Sequence, residues 1–116
     1  MKARQIPRHL LIHSATHHYG PPANDDWGNP TWPNSRALSN VRFEPSGRVV
    51  MDRAVDGNTE IRLSALMFYD AQNSAPTGVN FAFGDRIEFD GQQYRVVSVD
   101  KLYDGAAFHH AEIGVV

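Results

Sequence analysis

The sequence contains no cysteine. That excludes disulfides, thiolate nucleophiles and every zinc site built on sulfur. No apolar run approaches the roughly 20 residues of a membrane-spanning helix, and the first residues lack the hydrophobic stretch of a signal peptide. Basic residues are few: eleven Lys and Arg against thirteen Asp and Glu leave a formal charge of −2. They are also scattered, without the basic stripe or interleaved aromatics of a nucleic-acid-reading surface. Ser14, Ser35, Ser64, Ser74 and Ser98 all lack the Gly-x-Ser-x-Gly elbow of a hydrolase nucleophile. A glycine-rich phosphate loop and a His-Glu-x-x-His pair are missing too. With no repeat or low-complexity tract, the expectation is one soluble domain spanning residues 1–116, made in the cytoplasm and needing no cofactor.

Strand and turn signals are abundant. Phe83-Gly84-Asp85-Arg86-Ile87-Glu88-Phe89-Asp90-Gly91-Gln92-Gln93-Tyr94-Arg95-Val96-Val97 places two strand-forming runs around Asp90-Gly91. Asp-Gly in that setting predicts a two-residue type I′ hairpin, because both turn residues need positive φ. Counting outward pairs Phe89 with Gln92, Ile87 with Tyr94 and Arg86 with Arg95. Ile87, Phe89, Tyr94 and Val96 then share a dry face, and Arg86, Glu88, Gln93 and Arg95 share the other. Further strands are expected over 9–19, 37–44, 48–51 and 59–70, and over the closing 108–116. Two more Asp-Gly turns stand at Asp56-Gly57 and Asp104-Gly105. Over 59–70, Leu66 and Phe68 make the later half apolar on both faces, as in a doubly covered strand. Short strands, this punctuation and no long helical pattern predict an all-β fold: a small antiparallel barrel or sandwich with long loops and a C-terminal β-meander.

Three segments stand outside the strands. Residues 1–8 read as an exposed N-terminal arm. Residues 20–36 hold Pro21, Pro22, Pro30 and Pro33 together with both tryptophans, Trp27 and Trp32, beside Asp25 and Asp26. So many prolines forbid a central strand or helix, and a connection this long is usually functional. Its indoles either fold back to plug the core or serve as anchors for another protein. Residues 71–80, with Asn73 and Ser74, form a second candidate contact loop.

The six histidines suggest one chemical alternative. His110 and Glu112 share a strand face, and with His109, His13 or the pair His17-His18 they would make a three-ligand metal site for a small β-barrel enzyme. Against it stands the absence of any spaced ligand motif, since half-buried strand histidines are common without metal. The carboxylates fall mostly in turns, where Asp serves backbone geometry.

The second half of the chain resembles the minor capsid proteins of tailed phages and prophages. The resemblance rests on Phe68-Tyr69-Asp70, Asn73-Ser74, the run from Gly84 to Val96 and the closing His109-His110-Ala111-Glu112. Ile6-Pro7-Arg8-His9-Leu10-Leu11-Ile12-His13 and Leu38-Ser39-Asn40-Val41-Arg42 resemble the start of that family. The resemblance implies a non-enzymatic virion protein at the head-tail junction, a head-completion protein or head-tail connector. Its expected partners are further copies of itself in a ring below the portal, the portal or an adaptor, and a tail-completion protein. Packaged DNA would pass nearby without sequence-specific binding, and no membrane is involved. Trp27, Trp32, Asp25, Asp26, Asn73 and Ser74 are the expected contact residues.

Overall fold

A computed structural model describes residues 6–52 and 59–116. Among the described residues ten strands follow a 3-10 turn at Arg8–Leu10. They are β1 (His13–Tyr19), β2 (Ala23–Asn24), β3 (Pro30–Thr31), β4 (Asn34–Pro45), β5 (Val49–Asp52), β6 (Thr59–Arg62), β7 (Ala65–Asp70), β8 (Arg86–Phe89), β9 (Gln92–Asp104) and β10 (Ala107–Val115). Six of them close an antiparallel barrel in the order β1-β4-β7-β10-β9-β8, with β8 returning to β1. Closure leaves no unpaired barrel edge, which removes the usual hazard of strand addition. β2-β3 and β5-β6 are separate two-stranded ribbons.

The barrel follows the alternation in the sequence. Ala15, Leu38, Val41, Phe43, Ala65, Met67, Tyr69, Ile87, Val96, Ala111, Ile113 and Val115 form the inner core, with Phe89, Tyr94, Val99 and Phe108 packed against it. The β8-β9 hairpin has the expected register: Arg86 opposite Arg95, Ile87 opposite Tyr94, Phe89 opposite Gln92. Its turn residues Asp90 and Gly91 have φ of 51° and 76°, as a type I′ turn requires. β8, β9 and β10 form the expected meander. In the β9-β10 hairpin Asp104 pairs with Ala107, so the two turn residues are Gly105 and Ala106, one position later than Asp-Gly implies.

Two expectations change. The 59–70 run is not one strand: β6 and β7 are separated at Leu63 and Ser64. The doubly apolar half is nevertheless explained, because the β5-β6 ribbon lies on the outside of the barrel. Leu63, Leu66 and Val97 make a second core there, with Val50, Ile61, Phe68 and Val116 packed against it. A two-stranded ribbon is marginal in water alone, and this outer core holds it. The strand expected over 9–19 starts only at His13, after the 3-10 turn. The Asp56-Gly57 turn lies outside the described residues.

Gly114 marks the tightest point between the cores. A Cβ there would lie 2.2 Å from Ser98 Oγ and 2.9 Å from Leu63 Cδ1. Ser98 can rotate, but the buried Leu63 has little room. Gly114→Ala is therefore expected to cost about 1–3 kcal/mol of overpacking strain, read as a lower urea midpoint with unchanged slope. An unchanged midpoint would show that the outer core yields freely.

Candidate functional site: a projecting aromatic arm and its cleft

Residues 20–36 are not structureless. β1 and β4 pair as far as Tyr19 opposite Asn34, and the chain between them continues outward as the β2-β3 ribbon. Its base is pinned at Gly20, whose φ is 101° and where a Cβ would meet Pro33 Cγ at 2.7 Å. Positive φ and close approach together call for glycine there. Nearby, the Arg36 guanidinium stacks 3.6 Å from the Tyr19 ring centroid.

The tip owes its shape to Asp25. Its Oδ1 accepts the backbone N–H groups of Trp27 and Asn29, each at 2.9 Å, while its own N–H donates to the Asn29 carbonyl. This local side-chain capping fixes a tight turn without help from the barrel. Trp27 is left 88% exposed at the tip, beside exposed Asp26. Trp27 makes no part of either core.

Trp32 sits differently. It is half-buried against the outer face of the β8-β9 hairpin, with the Arg86 guanidinium 4.4 Å from its ring centroid. Its Nε1 is shut from solvent and has no hydrogen-bond partner among the described residues. Between the arm and the hairpin runs a cleft of about 480 Å³, lined by Pro22, Pro30, Trp32, Asp85, Arg86, Gln93, Tyr94 and Arg95, among others. Neither indole plugs the barrel. That task falls to Val79 and Phe81: Phe81 packs 4.6 Å from the His17 ring and 5.4 Å from the Tyr69 ring.

The 71–80 loop is largely engaged within the molecule. Ala75 and Ser39 exchange both backbone hydrogen bonds. Ser74 is 1% exposed, and its hydroxyl accepts the Asp70 N–H and donates to the Asn40 carbonyl. In this conformation Ser74 has no surface to offer a partner. Asn73 is half-buried and donates through Nδ2 to the Ile6 carbonyl at 2.9 Å. The described start of the N-terminal segment is thus tied down at Ile6, while residues 1–5 of the expected arm lie outside the described residues. Tyr69 holds the far end of the loop, donating to the Pro76 carbonyl and accepting the Val79 N–H at 3.2 Å. Burial pushes its phenol above the ordinary value, against a smaller lowering by the Val79 bond. It stays a neutral donor.

The structure does not bring the N-terminal histidines to His110 and Glu112. His110 and Glu112 face outward from β10, whereas His13 and His17 point into the barrel among the core aromatics. In the six-stranded ring β1 lies three strands from β10, so the wall and the core separate the two groups. His110 Nε2 lies 3.1 Å from Glu112 Oε2 and His110 Nδ1 2.7 Å from His109 Nδ1, while Arg48 reaches Glu112 Oε1 at 3.4 Å. His18 pairs with Glu88 at 3.1 Å on the outer face of β1. Among the described residues no three His, Asp or Glu side chains gather as a metal site.

One pair escaped the sequence reading. His17, wholly buried, places Nε2 2.8 Å from Asp85 Oδ2, which also accepts the Ala82 N–H at 2.9 Å. A carboxylate only accepts, so the ring proton sits on Nε2; Nδ1 has no partner among the described residues. Asp85 directly precedes β8, so this bond anchors the floor of the cleft to β1.

Barrel and arm together define a small β scaffold that presents an aromatic, acidic tip beside an arginine-walled cleft. The chain belongs to the phage minor capsid protein family: a family model described as "Minor capsid protein" matches residues 7–115. Membership makes it a structural component of a phage virion. No curated protein matches the chain. Among the described residues no helix is long and apolar enough to cross a membrane.

Proposed function

We propose that this virion protein is a head-completion protein or head-tail connector. Copies of it would form a ring below the portal, meet a portal or adaptor protein on one side and a tail-completion protein on the other, and join the DNA-filled head to the tail. The observation that carries the reading is a closed barrel projecting an arm whose tip tryptophan is 88% exposed. A barrel without edges cannot associate by strand addition. It associates through what projects from it, and an aromatic is the residue type that anchors interfaces. The net charge of −2 suits a wall past which packaged DNA slides, since phosphate binding needs a positive surface. A tail-completion adaptor of the same fold would use the same arm one position further along the neck.

Inactivating the gene in the producing phage tests this. The connector reading expects DNA-filled or leaking heads without attached tails, with tails assembled separately. It further expects that Trp27→Ala fails to complement while folding normally, because truncating so exposed a side chain changes stability by about 0.5 kcal/mol at most. Normal tailed particles made without the protein would refute the reading.

A further inference from the structure

The arm and a second hairpin leave the barrel by the same end. β1 runs into the arm and β9 into the β9-β10 hairpin, and β8 lies antiparallel between the two. The β8-β9 turn therefore marks the opposite end. β9 and β10 stay paired as far as Asp104 opposite Ala107, whereas β7 stops at Asp70 opposite His110. The last residues of that hairpin project beyond β7. Leu102 is exposed there, and Tyr103 is 57% exposed, its ring edge-on to Phe108, which packs on the core. Single exposed apolar side chains are ordinary on a protein surface. Here aromatics stand on both hairpins that project from one end. Charge is distributed as unevenly. Residues 20–35 hold Asp25 and Asp26 and no Lys, Arg or His, so the whole formal charge of −2 resides on the arm. Asp26 is exposed beside Trp27. On the rest of the chain Arg42 is paired with Glu44 and Arg48 with Asp100 and Glu112, while Arg36 and Arg86 lie over the Tyr19 and Trp32 rings. An acidic, aromatic tip is better met by the cations of another protein than by a second copy.

We propose that this end of the barrel seats on a different neck protein through both hairpins at once. Trp27 enters an apolar pocket rimmed by Lys or Arg side chains that face Asp26, and Tyr103 with Leu102 packs on a second apolar patch of the same partner. The contact rests on the connector reading and names its surface and the chemistry of its partner. Two aromatic side chains bury about 150–250 Å² each, short of the roughly 1,200–2,000 Å² of a stable interface. One copy therefore binds weakly, and a ring of copies binds firmly because its contacts act together.

Extracts of a phage with this gene inactivated supply heads and tails for the test, and purified full-length protein is the only addition. Wild-type protein should restore plaque-forming particles. Trp27→Ala and Tyr103→Ala should each lower the titre roughly tenfold or more, the loss typical of an anchoring aromatic, while circular dichroism shows the fold retained. Leu102→Ser is a second variant of the same hairpin and should also lower it. Gln92→Ala, beside the turn at the opposite end, should match wild type. Asp26→Arg should fall as well, and phage carrying it should yield suppressors that replace Lys or Arg by Asp or Glu in another neck protein. Full titre with Tyr103→Ala and Leu102→Ser, or an equal loss with Gln92→Ala, would overturn the two-hairpin seat. Undiminished titre with Asp26→Arg, or suppressors confined to this chain, would overturn the basic-rimmed partner. Either result leaves the connector reading standing. Infectious tailed particles forming without any added protein would remove that reading and this contact with it.

Discussion

Asp70→Ala is expected to destabilise the protein by about 3 kcal/mol or more. Asp70 ends β7 with no exposed surface, and its carboxylate gathers three N–H groups from two separate pieces of backbone. Oδ1 accepts the Ile6 N–H at 2.8 Å; Oδ2 accepts Gln72 N–H at 3.0 Å and Asn73 N–H at 2.8 Å. Each is a charge-assisted bond, and truncation removes the acceptor from all three donors at once. Loss of the turn also loosens Ser74, whose hydroxyl bridges β7 to β4. For a domain near this size the effect corresponds to a melting temperature lower by roughly 10 °C or more. Asp70→Asn, which keeps one acceptor oxygen, should fall between wild type and alanine. A midpoint within about 0.5 kcal/mol of wild type would show that water replaces the carboxylate and that the N-terminal tether carries no energy.

Asp85→Ala is expected to cost a similar amount, about 3 kcal/mol. It strips His17 Nε2 and the Ala82 N–H of their acceptor inside the barrel end, where His17 Nδ1 already finds no donor among the described residues. The ring would be left with two unmet polar atoms among Phe81 and Tyr19. Replacing His17 as well removes the stranded group, so the pair should not be additive. A double-mutant cycle with His17→Phe should return a coupling above about 1 kcal/mol. Additivity would mean that the two side chains touch without stabilising each other.

What could be read from the sequence was local. The Asp90-Gly91 hairpin was legible to the residue, because a turn dipeptide and period-two alternation determine register over a few positions. The double coating of Leu66 and Phe68 was legible as a pattern, although the ribbon that supplies it was not, since nothing local shows that β5 and β6 leave the barrel. Barrel closure depends on β8 meeting β1, a pairing of residues about seventy positions apart. The His17–Asp85 bond spans 68 positions, which is why His17 looked like a ligand in the sequence and became a core residue in the fold. In the arm, the prolines correctly forbade a central strand, yet they permit a two-stranded ribbon with Pro30 in its second strand. The tryptophans were marked by their residue type. Their different fates, one in solvent and one beneath an arginine, depend on the distant β8-β9 hairpin.

The most direct test of the whole account is a reconstruction of the neck of the intact phage particle by electron cryomicroscopy. The account predicts this barrel in a ring at the head-tail junction, with the tip of each arm, Trp27 included, buried against a neighbouring subunit. A neck built without this protein, or a ring in which every Trp27 points into solvent, would contradict it.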